Sequence, residues 1–172
     1  AYGIIMYVGF IFVGTYMGYA VGSAPVISYH YGAGNKDELK NLFKRSLTII
    51  IVSSVVMTLI AEIIAGYLAG IFVSYDNNLL ELTTEAIRIY AVSYLISGVN
   101  IFASSFFTAL NNGVVSAVIS FMRMFVFQIV MILLLPVVLG ISGIWTAVIA
   151  AEVLSVVISV MFLVKNRKKY SY

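Results

Sequence analysis

Three charged side chains, Glu62, Arg123 and Glu152, interrupt long apolar stretches of this sequence, and a single histidine, His30, closes another. A charge at membrane depth is costly, so each is a candidate to bind a cation, exchange a proton or pair with its opposite. Glu62 lies about 15 residues into its apolar run, or about 22 Å of helical rise. That depth suits a cation-binding acid in the outer half of a bilayer, an acid near the external surface, or one paired within the bundle. Glu152 sits about 12 Å along the last run and so close to a midplane, where it suits a proton or cation site or a hydrogen bond to a neighbouring helix. Arg123 can snorkel toward the nearer surface with its stem in apolar surroundings, as an anchor or ion-pair partner. His30, of the one residue type whose ordinary charge change falls near neutral pH, reads as a gating or a structural residue. There is no cysteine, no metal-ligand cluster, no glycine-rich phosphate loop and no nucleophile elbow. Neither cofactor chemistry, metal chemistry nor ATP hydrolysis is indicated, and the chain does not read as an enzyme.

The elements that must position these residues follow from composition. The chain is 62% hydrophobic and 10% charged, with mean hydropathy +1.07. A helix crossing a hydrocarbon core of roughly 30 Å needs about 20 apolar residues, and five runs qualify. The expected fold is all-α, a polytopic bundle with helices over about 2–31, 36–74, 81–110, 114–138 and 141–165. "NNG" (Asn111 to Gly113) separates the third from the fourth, and "PVVLGISG", with Pro136, Gly140 and Gly143, the fourth from the fifth. The net charge of +3 and pI of about 9.1 do not describe a nucleic-acid binder, because the basic residues gather at helix ends. Lys36, Lys40, Lys44 and Arg45 follow the first helix and Lys165, Arg167, Lys168 and Lys169 follow the last. The positive-inside rule makes that side, with the C-terminus, cytoplasmic; the acidic connection with Asp76, Glu81 and Glu85 is then external. The chain begins without Met, inside an apolar helix and with no cleavage signal, as an internal stretch of a longer polypeptide would.

Between the first two runs stands "PVISYHYGAGNKDELKNLFKRS", a tyrosine-rich end, two glycines and charges at helical spacing. Asn35 and Glu38 fit a capping box, Gly32 and Gly34 admit a bend, and the basic face of the following turns suits a headgroup surface. The segment resembles the one that closes the second helix of each lobe in the multidrug and toxic compound extrusion (MATE) family. That family's G-x-x-P-[IVL]-x-[SGA]-x-x-x-G-A pattern falls on Gly22, Pro25, Val26, Ser28, Gly32 and Ala33. "SFMRMFVFQ" and "LLLPVVLGISGIWTAVIAAEVLS" are similar to the family's last two helices. The resemblance implies helices eight to twelve of twelve, with the N-terminal lobe and the first helix of the C-terminal lobe missing. It further implies a secondary antiporter of the cell membrane that exports cationic, amphipathic small molecules in exchange for Na⁺ or H⁺, through a site between two lobes. The fragment alone would then be inactive. In one branch of the family an aspartate implicated in cation coupling lies ten residues before an "AL" pair; here that position is Asn100, an amide that coordinates a cation but does not exchange a proton. Pro25 and Gly32 carry structural or gating roles by the same resemblance. A flippase of lipid-linked saccharides, from the wider superfamily, and a non-transporting membrane scaffold are the alternatives.

Overall fold

In hydrocarbon every backbone N–H and C=O must be satisfied within the protein, and long apolar runs meet this as helices. The computed structural model describes residues 2–172, the side chains of Tyr2 and Ile141 apart; Ala1 lies outside the described residues. The described residues form five helices long and apolar enough to cross a membrane. They are α1 (Tyr2–Gly32), α2 (Lys36–Val73), α3 (Asn77–Ala109), a fourth span and α6 (Ile141–Tyr170). The fourth span is composite: α4 (Gly113–Phe121), a π-helical segment (Met122–Phe127) and α5 (Gln128–Leu139). Among the described residues there is no strand.

Each turn has a local cause. At the first, Asn35 N–H donates to the His30 carbonyl (3.0 Å) and Gly34 takes φ +69°, a glycine-terminated helix end. Asn35 then caps α2 by accepting from Glu38 N–H (3.2 Å). The reciprocal half of the expected capping box is absent, since Glu38 pairs with Asn41 instead. Gly32 remains helical, so Gly34 alone supplies the left-handed bend. α2 runs unbroken from Lys36, and its 38 residues, about 57 Å, outreach the hydrocarbon core, so its basic first turns project beyond it. α3 begins at Asn77, earlier than expected, because Asp76 accepts from Asn78 N–H (2.9 Å) and Leu79 N–H (3.2 Å). Between α5 and α6 only Gly140 (φ +62°) leaves the helical path; a Cβ on Gly143 would collide with the Leu135 carbonyl, so the hairpin needs glycine there too.

α6 continues to Tyr170 rather than 165, its last turn carrying Arg167, Lys168 and Lys169 where the helix dipole favours cations. Ser171 then adopts φ +60° and folds Tyr172 back, so that its hydroxyl donates to the Leu163 carbonyl (2.8 Å). Tyr170 and Tyr172, whose amphipathic rings would suit the membrane–water interface, are therefore 8% and 4% exposed. The Tyr172 ring lies 4.7 Å from that of Phe43 and 4.8 Å from that of Phe106, tying α2, α3 and the tail together. Burial pushes the Tyr172 phenol above its ordinary pKa, so it stays a donor at neutral pH.

α3 is the hub: it packs against α1, α2, α4 and α6. It is the least apolar span and the most buried, whereas the fourth span is strongly apolar and has few fully buried residues. Lipid contact demands apolar side chains, and burial against protein tolerates Ser, Asn and Gly. Ala61, Ala65 and Ala69 of α2 and Ala86 and Ala91 of α3 are all buried, and Thr58 donates to the Ala91 carbonyl (3.2 Å) across that contact. Three helices close tightly at Gly98, where an added Cβ would lie 2.8 Å from Ser54 Oγ, 3.1 Å from Ile50 and 3.2 Å from Tyr16. Gly14, Gly18 and Gly22, whose spacing suggests a packing face, have open space around them instead. Gly98→Val is thus expected to destabilise by about 1–3 kcal/mol through overpacking, read as a lowered melting temperature in detergent; Gly70→Val, where nothing lies within 4 Å, should leave it within error.

Candidate functional site

Near the middle of the bundle, α3, the π-helical segment and α6 bring Asn100, Arg123 and Glu152 together. Each lies about 13–16 Å of rise from the end of its span, close to half the hydrocarbon thickness. Arg123 donates through Nε to both Glu152 carboxylate oxygens (2.9 and 3.1 Å), and its Nη2 forms an ion pair with Oε1 at 2.8 Å. Asn100 Nδ2 donates to Glu152 Oε2 (2.7 Å) and to its backbone carbonyl (3.2 Å). The Asn100 carbonyl oxygen accepts from Ser159 Oγ (2.9 Å). The side chains of Arg123 and Glu152 are only 17% and 9% exposed, and Asn100 is fully buried. Charges so far from water persist only when paired and hydrogen-bonded, and here the unit sums to zero.

Arg123 does not snorkel to a surface. It sits in Met122–Phe127, where the wider π turn shifts the register of side chains along the fourth span. Beside it opens a cleft of about 280 Å³ between α1, α3 and α4, bordered by Asn100, Ser104, Ser105, Thr108, Ser120 and Arg123. Hydroxyls continue from it along α3 and α4: Ser104 Oγ lies 2.7 Å from Ser120 Oγ and 2.9 Å from Ser116 Oγ, and Thr108 Oγ1 2.7 Å from Ser116 Oγ. The centre is thus reached by a strip able both to donate and to accept.

The other sequence candidates stand apart from this centre. Glu62 faces Arg88 at 3.8 Å, both substantially exposed, a separation and exposure worth little as an ion pair. His30 lies at the basic end, its ring 5.2 Å from that of Tyr29 and its Nδ1 buried without a hydrogen-bond partner. α1 passes through Pro25 without ending, and Ser105 Oγ donates to the Ala20 carbonyl (3.3 Å) just before the carbonyl that the proline leaves unbonded. Gly32 closes α1 with nothing packed on it. Sequence reasoning missed Ser159 and the hydroxyl strip. Ser159 was within reach, since it follows Glu152 by seven residues, two turns along the same face.

Replacing Asn100 removes every side-chain hydrogen bond between α3 and this unit. Asn100→Leu is therefore expected to cost about 1–3 kcal/mol in the thermal unfolding of the detergent-solubilised protein, with Ser159→Ala costing less because it frees only one lone pair.

The MatE family matches residues 1–134 of this chain. Two solved structures share its fold. The crystal structure of the Vibrio cholerae MATE transporter VcmN in the bent form superposes with a TM-score of 0.89 at 16% identity, over 98% of this chain and 38% of that one. An inward-facing multidrug resistance MATE transporter of the MOP superfamily gives 0.84 at 16% identity, over 97% and 38%. The chain thus spans 38% of the length of either transporter, consistent with part of a C-terminal lobe. No curated protein sequence matches it. With more than three quarters of its residues matched, the chain belongs to the MATE family.

Proposed function

We propose that this chain forms part of a secondary active antiporter of the plasma membrane, its C-terminus cytoplasmic, that exports amphipathic organic cations in exchange for Na⁺ or H⁺. The observation that carries the reading is the buried Asn100–Glu152–Arg123 unit beside an open cleft bordered by Ser and Thr hydroxyls. Its chemistry is competition. Glu152 can be neutralised by the Arg123 guanidinium, by a proton or by a small metal cation, and each of these displaces the others. An ion arriving along the hydroxyl strip releases Arg123 and so loosens the tie between the fourth span and α6. That tie is an element with two arrangements, of the kind an ion gradient can bias in alternating access. Asn100 holds the carboxylate in place in both arrangements. No covalent chemistry is involved.

The whole activity requires the rest of such a transporter, because the substrate site of this architecture lies between two halves. The 172 residues alone should give no gradient-driven export in vesicles. The flippase alternative calls for a cationic cavity able to hold pyrophosphate; here the interior guanidinium is already matched by a carboxylate, which argues against it.

In the complete transporter, dye efflux under an imposed Na⁺ or pH gradient separates the candidates. Glu152→Gln is expected to lower gradient-dependent efflux about tenfold or more, whereas Glu62→Gln should change it by less than about twofold. Full coupling in Glu152→Gln and in Asn100→Ala would move the ion site out of this chain.

A further inference from the structure

At the end of the bundle that carries the two basic clusters, α2 and α6 both pack on α3 but hardly on each other. The gap is a groove of about 280 Å³. Its floor is apolar and aromatic, built from Phe43, Leu163 and Tyr172, and its rim carries Lys40 and Lys44 from α2 and Arg167 from α6. Lys40 and Lys44 are one helical turn apart, so the three cations converge from both sides. All three are exposed, and among the described residues none has a carboxylate within 4 Å. The acids at this end, Asp37 and Glu38, belong to the first turn of α2, where they face the positive end of its dipole.

We infer that this groove binds the headgroup of an anionic phospholipid. The phosphate sits between Lys40, Lys44 and Arg167, which supply the positive charge. An acyl chain leaves along the exposed apolar surface that continues from Val164 to Val160 and Val157 of α6. Both halves of the ligand are needed to explain the site. A free phosphate has no use for a floor of Phe43, Leu163 and Tyr172, and an uncharged lipid has none for three unpaired cations. Clusters of this kind between helices at the cytoplasmic surface favour anionic lipids by an increment for each basic residue. The inference is independent of which ion or substrate the transporter handles.

The test uses the complete transporter, purified in detergent and titrated in native mass spectrometry with phosphatidylglycerol, phosphatidylcholine or free glycerol phosphate. A triple variant, Lys40→Gln, Lys44→Gln and Arg167→Gln, is compared with a charge-matched control, Lys36→Gln, Lys165→Gln and Lys168→Gln. Phosphatidylglycerol affinity is expected to fall about tenfold or more in the groove variant and less than about twofold in the control. Arg167→Lys, which keeps the charge, should retain binding. All six positions are exposed, so both triples should keep the elution profile and melting temperature of the parent. Equal losses in the two triples would overturn the inference, as would phosphatidylcholine or free glycerol phosphate binding as tightly as phosphatidylglycerol.

Discussion

A carboxylate in the middle of a hydrocarbon-embedded bundle must be neutralised, at an unpaired cost of several kcal/mol. Glu152 is that carboxylate, and the arrangement around it follows from meeting its demand. Arg123 reaches it from the fourth span by way of a π-helical segment, and Asn100 reaches it from α3. Three spans are thereby fixed to one another at a common depth. α3 can occupy the centre because it is rich in small and hydroxyl-bearing residues, with Gly98 letting α1 and α2 close on it. The lipid-facing fourth span then needs to contribute only one polar side chain inward.

Asn100 and Arg123 explain each other. With an acid at position 100, two carboxylates would lie within hydrogen-bond distance and share one guanidinium, leaving an uncompensated negative charge. The amide converts that repulsion into a 2.7 Å hydrogen bond and leaves its own oxygen for Ser159. The unit therefore rests as a closed, neutral knot. On the proposed reading, whatever opens it must offer Glu152 a competing positive charge, as a cation or a proton does.

Much of this was legible in the sequence. The five spans, the turns at Gly34 and at Asn111 to Gly113, and the unusual status of Glu152 followed from hydropathy, glycine placement and the cost of buried charge. Facing was not legible. The glycines at positions 14, 18 and 22 have the spacing of a packing face yet meet nothing, while Gly9, under Tyr94, and Gly98 carry the close contacts. Arg123 was expected to extend toward a surface because a straight helix offers no reason for it to turn inward; the π-helical segment supplies one, and no residue type announces it. Tyrosine chemistry favours the membrane–water interface, whereas the left-handed turn at Ser171 folds Tyr170 and Tyr172 inside. Such outcomes depend on rotation about helix axes and on one or two backbone angles, which a hydropathy pattern does not encode.

The most direct measurement is a double-mutant cycle on the complete transporter in detergent, comparing Arg123→Met, Glu152→Leu and the double variant by equilibrium unfolding. If the buried pair organises the bundle, each single change costs about 3–5 kcal/mol, because it strands a charge, and the double change costs far less than their sum. Additivity to within about 0.5 kcal/mol would mean that the two side chains do not depend on each other, and the central role given to Glu152 would fall.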